Sequence, residues 1–71
     1  MSIHIKIQFE NISTINQEIL IAELFNWSFE GFEQTPKQLL AYLPQSAFND
    51  QLQDLLQQLQ MRQLFSHYTQ G

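Results

Sequence analysis

Cysteine is absent from the 71 residues, which removes disulfides and thiolate metal sites together. The two glycines, at 31 and 71, are too few for a phosphate-cradling loop, and no Gly-x-Ser-x-Gly elbow occurs. Basic residues are scarce: three Lys and Arg against seven Asp and Glu leave a net charge of −4. Nucleic acid demands a positive patch for its phosphates, so no direct nucleic-acid binding is expected. A basic protein partner suits this balance through long-range attraction, although an acidic surface also serves solubility alone. No apolar run is long enough to cross a bilayer, and the amino end lacks the basic start and apolar stretch of a signal peptide. A cytoplasmic, non-membrane protein is therefore the expectation. A single domain of this size buries only about 60% of the surface its unfolded chain exposes. Without disulfides its core must rest on packing, or lean on a partner.

What is present begins with an alternation. Ile3, Ile5, Ile7 and Phe9 interleave with His4, Lys6, Gln8 and Glu10, the period of two of a strand with one buried face. Asn11 to Ser13 read as a polar turn, with Ser13 or Asn16 as a helix cap. A helix is expected over residues 14 to 27, with Ile15, Ile19, Ala22 and Phe25 on its apolar face, Ile21 flanking, and Glu18 complementing the dipole in an early turn. Phe29 to Gln34 form a short strand, Thr35-Pro36-Lys37-Gln38 a turn, and Leu39 to Leu43 the returning strand, ended by Pro44. Asn49 caps a second helix, in which Leu52, Leu55, Leu56 and Leu59 fall at i, i+3, i+4 and i+7 among glutamines. Leu64 to Thr69 read as a fourth strand.

The order is β-α-β-β-α-β, the split arrangement of ferredoxin-like folds. It implies an α+β two-layer sandwich with an antiparallel sheet in the order 4-1-3-2 and both helices on one face. With residues 35 to 38 as the loop, Gln34 faces Leu39, Phe32 faces Ala41 and Gly31 faces Tyr42. Phe32 then points at the helices, and Tyr42 is expected to lie over the bare backbone of Gly31 on the other side. Trp27 and Phe29 close the corner between helix and hairpin.

Candidate chemistry is sparse. Glu30 and Glu33 fall on opposite strand faces and make no acid–base pair. His4 and His67, on neighbouring strands, are expected to approach one another, yet two imidazoles are half a zinc site. The sheet face without helices is the better candidate. His4, Lys6, Gln8, Leu40 and Tyr42 lie there, with Phe65 if the fourth strand's register allows. An open face bearing Tyr and Leu exceeds what a solitary monomer needs.

At the run IAELFNWSFEGFEQTPKQLLAYLP the chain resembles the N-terminal domain of PrmA-type enzymes, methyltransferases of large-subunit ribosomal protein L-eleven, in their Bacteroidetes-like form. The likeness rests on Ile21-Ala22-Glu23-Leu24, Phe29-Glu30, Phe32-Glu33, Thr35, Leu39 and Ala41-Tyr42-Leu43-Pro44, with Ile3-His4-Ile5-Lys6-Ile7 as the first strand. Ser28 departs from the glycine common there, and Gly31 stands where the family often has serine. The resemblance implies that residues 1–71 are a substrate-recognition domain without activity or cofactor of their own. Methyl transfer from S-adenosylmethionine, on a protein (lysine) substrate, belongs to a separate C-terminal domain. The implied partner is the ribosomal protein of the large-subunit stalk base, met through the open-face residues and the acidic Glu30 and Glu33. The alternative is a freestanding regulatory or dimerisation module of the same fold, with a weak homodimer as its mark.

Overall fold

Alternation decides the centre of the molecule. The computed structural model describes residues 3–71, and in it Ile5, Ile7 and Phe9 of strand β1 (His4–Glu10) are buried while His4 and Lys6, which alternate with them, are exposed. The other elements are helix α1 (Thr14–Leu24), strands β2 (Gly31–Gln34) and β3 (Gln38–Pro44), a single 3-10 turn at Gln45–Ala47, helix α2 (Asp50–Met61) and strand β4 (Tyr68–Gln70). The strands form one antiparallel sheet in the order β2-β3-β1-β4. That is the ferredoxin-like βαββαβ topology expected from the element order, with β1 inside the sheet.

The hairpin register is the expected one: Gln34 faces Leu39, Phe32 faces Ala41 and Gly31 faces Tyr42. Thr35 fixes the turn, its Oγ1 accepting from the Gln38 N–H at 3.0 Å while its own N–H donates to the Gln38 carbonyl at 2.9 Å. One packing detail differs. A Cβ added at Gly31 would meet no atom within 4 Å, so the Tyr42 ring does not cover it. Phe29 stacks instead on Phe32, ring centres 5.5 Å apart, and both pack with Trp27 against the core.

Helix α1 corrects the sequence reading most. It is capped by Ser13, whose Oγ accepts from the Asn16 N–H, and ends at Leu24, three residues earlier than expected. Its first turn holds no acidic residue, because Glu18 comes after it. Leu20, Leu24 and Gln17 face the core, whereas Ile15, Ile19, Ala22 and Phe25, the expected core stripe, face water. A helix apolar on two sides offers periodicity no means of choosing between them. Gln17 settles the choice by hydrogen bonding: its Nε2 donates to the carbonyls of Ile12 and Thr35, both at 2.9 Å. Those bonds tie the helix to the hairpin turn, and the Ile12 N–H adds a bond to the Lys37 carbonyl at 2.9 Å.

Helix α2 follows its leucines. Asn49 caps it through Oδ1 to the Leu52 N–H at 3.0 Å, and Leu52, Leu56 and Leu59 are fully buried. It ends with Gln63 in the left-handed region, φ 65°. The Gln63 N–H donates to the Gln60 carbonyl and the Leu64 N–H to the Leu59 carbonyl, the paired bonds of a Schellman cap with Leu64 and Leu59 as its apolar contact. Leu64 and Phe65 are therefore core anchors behind a helix end, and the fourth strand shrinks from the expected 64–69 to Tyr68–Gln70. Phe65 packs edge-on against Phe9 with centroids 4.9 Å apart, which takes it off the open face.

Candidate functional site

The pleat of β1 carries His4, Lys6, Gln8 and Glu10 to the side of the sheet opposite the buried isoleucines. Register adds the rest. Tyr42 faces Lys6, Leu40 faces Gln8 and Glu33 faces Leu40, so one row runs Gln8–Leu40–Glu33 and the next Lys6–Tyr42–Gly31. Leu40 and Tyr42 are half-buried by their neighbours, while Lys6 and Glu33 stand in water. The face thus has an aromatic and an aliphatic side chain at its centre, a lysine on one side and a glutamate on the other. Lys6 makes no ion pair among the described residues.

Polar contacts frame this surface at two corners. His4 Nε2 lies 2.5 Å from Glu30 Oε2, joining β1 to the residue before β2 across the end of β3. Glu30 therefore reaches the site only through His4, and Glu33 alone of the two glutamates lies within a row of the face. At the opposite end Glu10 accepts from Gln8 Nε2 at 3.1 Å and meets His67 Nε2 at 3.1 Å.

The two histidines thus sit at opposite ends of β1. Six residues of strand separate His4 from Glu10, about 20 Å at 3.3–3.4 Å per residue, so the expected approach of the two imidazoles does not occur. Strand β4 pairs Tyr68 with Phe9, which brings His67 to Glu10. A fourth strand spanning 64–69 hides this role of Glu10, which depends on the register of Tyr68 against Phe9. Among the described residues no group of three or more His, Cys, Asp and Glu is placed to hold a metal.

The chain Ser66–His67–Glu10 has the order of a hydroxyl, a base and an acid, and its geometry decides against that role. Ser66 Oγ is 3.4 Å from His67 Nδ1, a long contact, and with Ser66 and His67 exposed and Glu10 only half-buried, water reaches all three. It is a surface clasp between β1 and β4. A separate recess of about 300 Å³ lies where α1 begins and α2 ends, rimmed by Asn11, Asn16, Gln60, Gln63 and Ser66 around Phe65. Its carboxamides carry no charge, and Gln60 is already engaged with the Ser66 carbonyl at 2.5 Å.

What this arrangement can do is hold a surface: one flat apolar centre with charges of both signs around it. Compared with known protein families, curated proteins and solved structures, the chain matches none. No helix among the described residues is long and apolar enough to cross a membrane.

Proposed function

We propose that this chain is a protein-recognition module that binds its partner on the open sheet face, and specifically the substrate-recognition domain of a ribosomal protein methyltransferase dependent on S-adenosylmethionine. The observation that carries the first part is the uncovered row pair centred on Leu40 and Tyr42, with Lys6, Gln8 and Glu33 around it. Tyrosine in such a setting supplies rigid contact area with a polar tip, the residue type enriched where interfaces concentrate their energy. The second part is supported by the resemblance in the run from Ile21 to Pro44, and by net charge −4, which suits a basic substrate. On this reading methyl transfer is done elsewhere, and these residues bind and orient.

The test is titration of the chain with the amino-terminal domain of the large-subunit stalk-base protein, following backbone amide shifts. Shifts are expected at Lys6, Gln8, Leu40 and Tyr42, and the double substitution Leu40→Ala with Tyr42→Ala should weaken binding at least about tenfold. Absence of any shift at near-millimolar concentration sinks the substrate assignment. Shifts elsewhere on the domain sink the choice of face.

A further inference from the structure

Helix α1 is apolar on two opposite sides, and the chain covers only one of them. At about 100° per residue, Ile15, Ile19 and Ala22 fall within roughly 60° of one another, opposite the buried Leu20 and Leu24. Ile15 is 71% exposed, Ile19 40%, and Phe25 at the helix end 72%. An isoleucine stripe prolonged by a phenylalanine is a contiguous exposed patch of the kind that marks an interaction site. The rim says what would cover it. Glu18 flanks the stripe on one side and makes no ion pair among the described residues. On the other side Glu23 has only the long, exposed contact to Arg62 at 3.7 Å, which is worth little.

A second copy of the chain is a poor occupant. A two-fold pairing of the stripe with itself centred near Ile19 brings each flank against the same flank of the mate, and Glu18 then lies beside Glu18. Such like-charge juxtaposition selects against a partner. An anionic membrane surface meets the same objection. We infer that the outer face of α1 docks an amphipathic helix whose apolar stripe is bordered by lysine or arginine. The site is separate from the sheet face, and it stands whether or not that face binds.

The experiment uses the full chain and two synthetic helices of about four turns. Both carry leucine at i, i+3, i+4 and i+7, one flanked by lysines and the other by glutamates. The lysine peptide should bind at least about tenfold more tightly, with amide shifts confined to residues 15–25, and Glu18→Gln should narrow that preference. Ile15 and Ile19 lie outside the buried core cluster, so Ile15→Ser with Ile19→Ser should leave the circular dichroism spectrum that of a folded chain while binding falls at least about tenfold. Equal affinity for both peptides, no binding of either, or shifts at Lys6 and Tyr42 instead of on α1 overturns the proposal. So does concentration-dependent self-association abolished by the same two serines, which would make a second copy the occupant.

Discussion

Among the described residues, three other than glycine adopt the left-handed backbone region: Asn11 (φ 55°), Ser28 (φ 65°) and Gln63 (φ 65°). Asparagine visits it routinely through local hydrogen bonding, whereas serine and glutamine gain little to offset the crowding of Cβ against the backbone. Gln63 occupies the position after a helix cap that glycine most often takes, and Ser28 holds the corner between α1 and β2. Replacing either by glycine removes the Cβ strain but restores entropy to the unfolded chain, and the first effect is the larger at such sites. Gln63→Gly and Ser28→Gly should each stabilise by about 0.5–1 kcal/mol. In a domain of this size that is a rise in Tm of about 2–8 °C. Asn11→Gly serves as the control and should change the melting temperature little. Calorimetry of the three variants checks the ranking, and a loss of stability in Gln63→Gly would mean that the cap tolerates its side chain without strain.

Among the elements, the ones legible in the sequence are those in which a single pattern has no rival. Strand β1 alternates strictly, α2 has leucine on one side and glutamine on the other, and the Thr35–Gln38 turn fixes the hairpin register. From these follow the sheet order and the open face with Lys6, Gln8, Leu40 and Tyr42. Helix α1 misleads because four apolar residues, Ile15, Ile19, Ala22 and Phe25, line the solvent side against two buried leucines, and the deciding residue is polar. Gln17 is fully buried, and no hydrophobic count would place it there. Leu64 and Phe65 misled in the same way, since a helix-end anchor and a strand use the same residue types. Gln17 also gives the element its test. Its Nε2 satisfies two carbonyls while its Oε1 has no partner among the described residues. Gln17→Leu would leave the Ile12 and Thr35 carbonyls without this donor, and should destabilise by about 2 kcal/mol in urea titration. Gln17→Glu is the sharper variant. Burial beside two carbonyls raises the pKa of that carboxyl above its unfolded value. A raised folded pKa means that stability is retained at acid pH and lost as pH climbs through it. The variant should therefore come nearest to wild type near pH 4 and fall behind progressively toward pH 7. A deficit that does not change with pH would show that the position is open to water.

For the molecule as a whole, the weak joint is the last strand. Strand β4 is three residues long and touches the sheet only along β1, aided by the reciprocal backbone bonds of Lys6 and Gly71 at 3.0 and 2.8 Å. Three rings hold it from behind: Phe9, fully buried, lies 4.9 Å from Phe65 and 5.9 Å from Tyr68, and Phe65 and Tyr68 are 5.9 Å apart. A 71-residue domain has about 4–11 kcal/mol in all, and truncating a buried phenylalanine removes about 3–5 of it. Phe9→Ala should thus leave the chain largely unfolded, because Phe9 joins β1 to β3 and β4 at once. Tyr68→Ala is the informative substitution. Tyr68 is half-buried and belongs to the strand it secures, so its loss should free β4 while β2, β3 and β1 stay paired over the helices. Hydrogen exchange reads this directly: the Lys6 amide, bonded to the Gly71 carbonyl, should lose protection, while the Glu30 amide, bonded to Tyr42 across the hairpin, keeps it. The open face would then be divided, with the Glu10–His67 clasp undone and the Leu40–Tyr42 centre intact. A partner that docks on that centre should still bind the Tyr68→Ala chain within a few-fold. If binding disappears along with β4, the recognition surface lies at the Glu10–His67 corner and the proposed centre is displaced by one strand.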